Sequence, residues 1–428
     1  MKKVLSTLST LVVVLFFLST FGWLVKNITQ GEKILGETAS DALITFVSFF
    51  DLFEESVQEV KKLPETFVPT PQDFEPVNQL EEDLFALISY SNLQKNRTVE
   101  LRNLKNDQVL WDWDIENTQQ EHDRLMDPLL LPHKTLVYSF NGVTGLFALD
   151  SAGNQLWHQD TIVQHHAMNL DSAGNIWACT YTEENHWYII YQGRYRSDGK
   201  DLRYIDNSVS RLDPKTGEVT FHKSISEILM DNNLSNLIVK SANIEDPLHL
   251  NDVQPALKTT DYYKEGDLFL SLRNVSAILH YRPSTNEVLE VIEGLFYSQH
   301  DVDFLDDHTI YFFNNNSHTF RPKVPNNWKT GEKIKNLGAF YSNIMAYDLA
   351  NKGFYTLEDS SFAANKIFSL TEGMSEVLDD GNIFVEEQNS GLLWVLKEGE
   401  VVYKNVIPSH HAGHHHLTNW TRIIKDLN

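Results

Sequence analysis

Two stretches of the chain place a histidine at the same distance from a hydrophobic segment. VQHHAMNLDSAGNIW (residues 163–177) puts His166 ten positions before Ile176, and SQHDVDFLDDHTIYFF (residues 298–313) puts His300 ten positions before Ile310. The second stretch ends in a β-branched and aromatic run that predicts a strand. An unprotonated imidazole is a nucleophile and a proton acceptor near neutral pH. The shared spacing therefore indicates a repeated structural unit with a repeated chemical use.

Two further residues could act with these histidines. His249 lies in DPLHLNDVQP, ahead of the strand-like run DLFLSL, and Arg273 follows the end of that run in SLRNVSAI. If these three histidines and the arginine meet in one buried site, they cannot all carry charge unless an anion lies between them, because burying like charges is costly. The set therefore predicts an anionic substrate.

Six hairpin-like segments are the elements that would position these residues. Each has two strands joined by a short turn that contains Gly or Asn, and each follows another strand-like run; they begin at residues 98, 146, 209, 277, 344 and 392. Repetition at a period of about 50 residues is typical of β-propeller blades. We therefore predict an all-β fold, a six-bladed β-propeller closed around a central channel. A β-sandwich with irregular hairpins is the alternative, but a sandwich does not need six regularly spaced copies.

The propeller prediction brings the candidate residues together. The innermost strand of each blade lines the channel, and the loops that lead into these strands meet at one mouth. His166, His249 and His300 occupy such positions, and Arg273 ends an inner strand. Two intervals exceed the repeat: SISEILMDNNLSNLI (residues 224–238) predicts a helix, and RPKVPNNWKTGEKIKN (residues 321–336) predicts a loop. We expect both to be insertions on blade rims.

Residues 1–27 predict a transmembrane signal anchor. Lys2 and Lys3 precede roughly 20 largely apolar residues, which is the length needed to cross a bilayer. The lysines predict a cytoplasmic N-terminus, and hence a single-pass protein of the inner (cytoplasmic) membrane whose catalytic domain lies in the periplasm or outside the cell. A cleaved signal peptide is the alternative, although no small-residue cleavage site stands out.

Residues 28–79 are expected to connect the anchor to the core domain. Residues 31–63 show apolar residues at helical spacing, which predicts an amphipathic helical segment. PETFVPTPQDFEPVNQ follows, and its four prolines predict a stiff connector. The propeller is then expected over residues 80–428.

The net charge argues against a nucleic-acid partner, and the cysteine content excludes an intrachain disulfide. The chain has 59 acidic and 35 basic residues, a net charge of −24, and this negative field would repel the phosphates of nucleic acid. Cys179 is the only cysteine, so no intrachain disulfide can form. We predict no nucleic-acid partner and no cofactor, and the sequence gives no indication of the oligomeric state.

These motifs resemble those of the arylsulfate sulfotransferase family, exported bacterial six-bladed propellers that move a sulfuryl group between phenols without a nucleotide sulfate donor. The matching stretches, in order over about residues 120–320, are QHHAMNLDSAGN, HLNDV, SLRN, QHDVDFL and FNNN. Three features depart from the family pattern. Asn314 stands where the family has an aspartate, Ala167 stands where it has an acidic residue, and the cysteine pair of some relatives is absent. The anchored helical N-terminus also differs from the family's β-rich N-terminal domain.

The resemblance implies an enzyme that takes an aryl sulfate donor and a phenolic acceptor in a ping-pong mechanism. It implies that His300 is the nucleophile that forms a sulfohistidine and that Arg273 holds the sulfuryl oxygens. His166 and His249 are implied to bond the sulfuryl group or to act on phenol protons. Residues implied to contact the substrate or to orient these groups are His165, Asn251, Gln299 and Asn314.

Three alternatives stay open at this point. Any one of the histidines taken alone could have a structural role. Metal binding is the competing chemistry, but Arg273 opposes a cation and only Asp301 offers a suitable carboxylate; the C-terminal HHAGHHH (residues 410–416) is interpreted as a solvated tail. The third alternative is a noncatalytic propeller that binds an anionic ligand or protein partner, which Asn314 and Ala167 favour.

Overall fold

The computed structural model describes residues 2–29, 34–36, 38–40, 42–43, 66–92, 96–116, 124–140, 144–181, 186–188, 203–243, 245–317, 341–425 and 427. The chain divides into two compact units, Met1–Pro64 and Glu65–Asn428. The division at residues 27 and 79 stays a prediction.

The first unit contains one long helix, α1 (Lys2–Thr29). Its segment Ser9–Ile28 is long and apolar enough to cross a membrane, and a signal sequence near the N-terminus would have the same character. Leu11, Phe16 and Trp23 in this segment are each more than half exposed. Most of the amphipathic segment predicted over residues 31–63 lies outside the described residues.

The second unit is built mainly from antiparallel β-strands, which confirms the all-β prediction at this level. The strands are β1 Phe67–Pro69, β2 Val77–Asn78, β3 Phe85–Ser91, β4 Asn96–Asn103, β5 Gln108–Glu116, β6 Leu129–Leu131, β7 Thr135–Tyr138, β8 Thr144–Leu149, β9 Gln155–Leu170, β10 Ile176–Tyr181, β11 His186–Tyr188, β12 Arg203–Ile205, β13 Ser208–Leu212, β14 Val219–Ser224, β15 Leu250–Pro255, β16 Leu268–Leu272, β17 Ala277–Arg282, β18 Glu287–Glu293, β19 His300–Phe304, β20 Thr309–Asn314, β21 Asn343–Asp348, β22 Gly353–Leu357, β23 Met374–Val377, β24 Ile383–Glu387, β25 Leu392–Lys397, β26 Glu400–Asn405, β27 Ile407–Pro408, β28 His414–His416 and β29 Arg422–Ile424.

Short helices interrupt the strands. They are the α-helices α2 Ile225–Asp231, α3 Asn236–Lys240 and α4 Asp359–Asn365, and the 3₁₀ turns Pro132–Lys134, Arg273–Val275 and Gln388–Ser390. Ser224 caps α2 by accepting a hydrogen bond from the Glu227 backbone N–H. The helix predicted over residues 224–238 is therefore confirmed, as two short helices. The loop predicted over residues 321–336 lies outside the described residues.

The strands form several small sheets in which chain neighbours pair. The sheet orders are β14-β13-β10-β9-β8-β7-β6, β15-β16-β17-β18, β19-β20-β21-β22, β2-β26-β25-β24-β23, β29-β3-β4-β5, β1-β28-β27 and β11-β12. The long strand β9 joins two groups in the first sheet, because residues before Val163 pair with β8 and residues after it pair with β10.

All six predicted hairpins are antiparallel pairs: β4–β5, β8–β9, β13–β14, β17–β18, β21–β22 and β25–β26. Their side chains pack between neighbouring sheets. Phe269 and Ile278 of one sheet, for example, share a buried cluster with Phe312 and Tyr347 of the next. The hydrophobic effect therefore holds successive sheets face to face.

The two ends of the β unit share sheets. Arg422, Ile423 and Ile424 of β29 pair with β3, so the last strand lies beside the first strand of that hairpin group. Strand β1 pairs with β28, in which His415 and His416 are 1% and 5% exposed. The interpretation of residues 410–416 as a solvated tail is therefore wrong, because pairing with β1 and packing of His416 on Phe67 and Tyr90 bury the last of these histidines.

Candidate active site

Left-handed backbone positions mark the region that gathers the candidate residues. His166, His249 and Trp420 have φ angles of 60°, 52° and 59°. Bulky side chains rarely adopt this conformation, so it persists only where the surrounding structure holds it. Asp301, directly after His300, has a φ of 57°.

Buried acceptors hold the chain just after each of these positions. In every case a backbone N–H donates to a side chain that lies 35 to 50 residues earlier, close to the repeat of the hairpins. The pairs are Met168 N with Asp127 Oδ2 (2.6 Å), Leu250 N with Asn207 Oδ1 (2.6 Å), Val302 N with Asp252 Oδ2 (2.7 Å) and Thr421 N with Glu386 Oε2. Side chains of one repeat therefore fix the backbone that presents the site residues of another.

The three predicted histidines lie side by side. The His166 ring centroid is 4.7 Å from that of His249 and 6.2 Å from that of His300. Trp420 completes the group, at 5.6 Å from His166 and 6.1 Å from His300. The structure thus brings residues more than 250 positions apart into one cluster, as the sequence analysis expected of His166, His249 and His300.

The hydrogen bonds of His300 determine its tautomer. Its Nδ1 lies 3.1 Å from the Ser298 carbonyl oxygen and 2.6 Å from Asn315 Oδ1. A carbonyl only accepts, so Nδ1 carries the hydrogen and Nε2 carries the lone pair. Nε2 is buried and has no partner among the described residues. Burial, together with the charge of Arg273, holds the pKa of His300 well below its usual value, so the ring is neutral at pH 7.

The orientation of the Asn315 amide is itself fixed. Its Nδ2 donates to the carbonyl oxygens of Ser369 (2.8 Å) and Glu372 (3.2 Å), so Oδ1 is the atom that faces His300. Asn315 is therefore the residue that positions the His300 ring. Sequence reasoning selected Asn314 instead.

His165 and His166 form a neutral pair. Their Nδ1 atoms are 2.9 Å apart, so one ring donates and the other accepts. Burial, followed by the nearby charge of His249, lowers the pKa of His165 to about 4 and lowers that of His166 well below its usual value. His165 is 6% exposed, and its Nε2 has no partner in the described part of the chain.

His249 is oriented by a carboxylate. Its Nδ1 donates to Asp246 Oδ2, and its backbone N–H donates to Asp246 Oδ1 at 3.2 Å. Burial would raise the pKa of Asp246, but the hydrogen bond and charge of His249 outweigh it and lower that pKa. The ionised Asp246 therefore fixes Nδ1–H of His249 and leaves Nε2 of that ring for proton transfer.

Arg273 supplies a buried positive charge. Its side chain is 6% exposed, and Nη1 donates to Asn274 Oδ1 at 3.0 Å, while Nε and Nη2 are buried without partners in the described residues. Its backbone N–H donates to the His249 carbonyl at 3.1 Å, which ties it to the histidine group. A buried guanidinium with unused donors is stable only beside an acceptor, and a tetrahedral oxyanion matches its fork.

The amide groups of Asn251 and Gln299 donate to neighbouring residues and not to the histidine rings. Asn251 donates to the Gln299 carbonyl at 2.7 Å, and Gln299 Nε2 donates to Ser271 Oγ and the Ala277 carbonyl, each at 3.0 Å. Both amides are fully buried, and their oxygens have no partner in the described chain.

The side chain of Asn314 makes its hydrogen bonds with residues outside the histidine group. Its Oδ1 accepts from the Tyr297 and Asn316 backbone N–H groups, at 2.9 Å and 3.1 Å, and its Nδ2 donates to Asn343 Oδ1 at 2.9 Å. These three bonds fix the end of β20 and leave Asn314 outside the histidine group.

A cavity of about 700 Å³ lies against Arg273. Its lining includes Phe296, Tyr297 and Ser298 beside Arg273, and the ion pair of Lys240 with Glu293; His166, His249 and His300 are not among its lining residues. A cavity of this size accommodates an aromatic ring. Within the described ranges, no three His, Cys, Asp or Glu side chains are placed to hold a metal ion.

Comparison with known proteins identifies a matching protein family. The sequence model described as Arylsulfotransferase (ASST) matches residues 127–404, and no curated protein matches. A protein of unknown function from Bacteroides caccae has a similar structure, at 10% identity and a TM-score of 0.51, over 81% of this chain and 100% of that chain. TolB from Acinetobacter baumannii (13% identity, TM-score 0.44, 83% of this chain and 68% of that chain) and virginiamycin B lyase from Staphylococcus aureus (9%, 0.37, 67% and 71%) also match.

Proposed function

This chain belongs to the arylsulfotransferase family, and from that premise we propose that it moves a sulfuryl group from an aryl sulfate to a phenol through a sulfohistidine at His300. No nucleotide sulfate is needed, because the aryl sulfate is itself the donor. Sulfuryl transfer resembles phosphoryl transfer, in which positioning and stabilisation of the peripheral oxygens provide most of the catalysis.

The observation that carries this proposal is the state of His300. Its Nδ1–H is committed to Ser298 and Asn315, and its Nε2 lone pair is buried, neutral and unpartnered among the described residues. Most buried imidazole nitrogens are hydrogen-bonded, so an unpartnered Nε2 beside a buried cation calls for a functional explanation. An unpaired lone pair beside a buried cation is suited to attack an anionic sulfur centre.

In the first half-reaction, Nε2 of His300 forms a bond to sulfur while the bond from sulfur to the aryl oxygen breaks. Arg273 holds the equatorial sulfuryl oxygens with its unused Nε and Nη2 donors. The electron pair of the broken bond leaves on the phenolate oxygen, which takes a proton from His249. Asn315 and the Ser298 carbonyl stabilise the positive charge that develops on the His300 ring.

In the second half-reaction, His249 removes the proton of the incoming phenol. The phenol oxygen bonds to sulfur, the N–S bond breaks, and its electron pair returns to Nε2 of His300. Asp246 keeps His249 in the required orientation throughout. His166, between these two rings, bonds the sulfuryl group, with His165 as its hydrogen-bond partner. The cavity beside Arg273 receives the aromatic part of donor and acceptor in turn.

We propose further that the sheets form a closed six-bladed propeller. The pairing of β29 with β3 would join the last blade to the first, and the two groups on β9 would count as two blades. On this proposal α1 anchors the protein in the inner membrane, residues 28–79 form the connector, and the propeller lies in the periplasm or outside the cell.

Turnover tests the proposal. Full-length protein in detergent is supplied with 4-nitrophenyl sulfate and a range of phenols, and the sulfated phenol is measured by mass spectrometry. We expect release of 4-nitrophenol to depend on the acceptor and parallel double-reciprocal plots, as a ping-pong mechanism requires. Binding of the aryl sulfate without transfer to any phenol would contradict the proposal and support the noncatalytic anion-binding alternative.

A further inference from the structure

Trp420 differs in its indole N–H from the other tryptophans of the β unit whose side chains the structure describes. Five of them donate Nε1–H to an acceptor: Trp111 to Ser151, Trp113 to Asp150, Trp157 to Pro214, Trp177 to Asp171 and Trp394 to Glu387. Trp420 is 2% exposed, and its Nε1 is buried with no partner in the described residues. A buried donor without a partner costs free energy, so it requires an explanation beyond packing.

The position of Trp420 provides one. Its ring lies 5.6 Å from that of His166 and 6.1 Å from that of His300, and both contacts are edge-to-face. The other buried nitrogens without partners in this group are His300 Nε2, His165 Nε2, and Arg273 Nε and Nη2. The unpaired indole donor therefore belongs to the same cluster of rings as the unpaired Nε2 of His300.

The backbone of Trp420 has an unfavourable conformation for an aromatic residue. Its φ of 59° is unusual for an aromatic residue, and two hydrogen bonds to the buried Glu386 maintain it, one from Trp420 N (3.1 Å) and one from Thr421 N. Glu386 also accepts from the Thr418 hydroxyl at 3.0 Å. Strain maintained by such a network is found where a side chain must be presented in one orientation.

We infer that Trp420 is a further substrate-contacting residue, whose indole N–H donates a hydrogen bond to an oxygen of the sulfuryl group beside His300. The inference rests on the proposed sulfuryl transfer. It assigns a role to a residue beyond the stretch matched by the family, which ends at residue 404. The last segment of the chain, before β29, then supplies part of the oxyanion site.

Replacing one atom tests the hydrogen bond without changing the packing. In full-length protein, Trp420→β-(3-benzothienyl)alanine keeps the shape of the indole and replaces N–H by sulfur. We expect covalent labelling of the protein by 4-nitrophenyl sulfate to slow by about 10- to 100-fold, as for loss of a hydrogen bond to a charged group. The same replacement at Trp394, whose N–H bonds to Glu387, is the control and should leave the labelling rate unchanged.

An NMR measurement separates this inference from the proposed function. The protein carries ¹⁵N-labelled tryptophan and the replacement His300→Ala, and the indole signal missing in Trp420→Phe is assigned to Trp420. Addition of 4-nitrophenyl sulfate should move the Trp420 N–H proton downfield and leave that of Trp394 in place. If the Trp420 signal shifts in His300→Ala but the protein that retains His300 is never labelled, sulfuryl transfer is contradicted, whereas the contact between Trp420 and the aryl sulfate is supported. Labelling that proceeds at the normal rate without the indole N–H, with no shift, would overturn the role of Trp420.

Discussion

At the scale of single residues, the proposed mechanism relies on a neutral imidazole at His300 beside the fixed cation of Arg273. Burial and the adjacent Arg273 keep His300 unprotonated, whereas the delocalised guanidinium keeps its charge even when buried. On the proposed mechanism the two effects support each other, because a neutral imidazole avoids repulsion by Arg273 and Arg273 would attract the anionic donor. Each residue therefore performs a function that depends on the other's charge state.

The pH dependence of labelling follows from the lowered pKa of His300. The reactive form is the neutral ring, and its pKa lies well below the usual 6.5, so the ring stays neutral as the pH falls through that value. We therefore expect no loss in the rate of labelling as the pH falls from 7.5 to 5.5. With an ordinary histidine as the nucleophile, the labelling rate would fall about tenfold when the pH reaches one unit below its pKa, because only about a tenth of the rings would remain neutral. An acid limb with a midpoint near 6.5 would contradict the assignment of a buried neutral nucleophile.

Arg273→Lys should separate charge from geometry. Lysine keeps the positive charge but loses the planar fork, so we expect labelling that is slower by about 100-fold and still detectable. Arg273→Met, which has neither, should show no labelling. Equal rates for the lysine variant and the wild type, measured by intact mass against time, would show that the guanidinium does not hold the sulfuryl oxygens.

At the scale of elements, the site depends on side chains that fix the ends of strands. Glu386 in β24 accepts three hydrogen bonds from the segment that precedes β29, and so determines where Trp420 lies. Asp127 and Asp252 serve β9 and β19 in the same way. Side chains of one repeat thus fix the backbone position of the site residues in another.

Glu386→Ala should destabilise the protein and slow labelling together. The change leaves three buried donors without an acceptor, so we expect a loss of about 3 kcal/mol in the free energy of unfolding. Glu400→Ala, at an exposed strand position, is the control and should change it by less than about 0.5 kcal/mol. Urea unfolding of the full-length proteins in detergent measures both values. A Glu386 variant as stable as its control would show that the segment before β29 is held by other contacts.

The sequence predicted the strands better than the details of the site. The hairpins follow from local alternation and turn residues, which is why all six pairs are present. His166, His249 and His300 could be grouped because the repeat brings equivalent positions together. Asn315 and Trp420 could not be predicted, because the choice between Asn314 and Asn315 depends on which amide faces His300, and the left-handed turn at Trp420 is set by a distant glutamate.

At the scale of the whole molecule, a strongly negative chain carries a buried cation, Arg273, in its candidate site. The net charge of −24 disfavours phosphate backbones at long range, while Arg273 and the surrounding donors act on a small anion at short range.

The β unit should fold without α1, but it should need its first strands. Strands β1 and β2 pair with β28 and β26, so their removal exposes backbone groups and the faces of His416 and Tyr403. We expect a fragment of residues 65–428 to be soluble and β-rich by circular dichroism, with a higher melting temperature than a fragment of residues 80–428. Equal melting temperatures would show that β1 and β2 do not stabilise the unit.

The central claim is that His300 becomes covalently sulfated. The most direct measurement is the intact mass of the full-length protein after brief exposure to 4-nitrophenyl sulfate without acceptor, followed by fragmentation of the peptide that contains residue 300. We expect the wild type to gain the mass of one sulfuryl group on His300 and to lose it when a phenol is added. The variants His300→Ala and His300→Asn should remain unlabelled, whereas His249→Asn should still be labelled, more slowly. A sulfuryl group located on His166, or labelling that persists in His300→Ala, would contradict the assignment of the nucleophile.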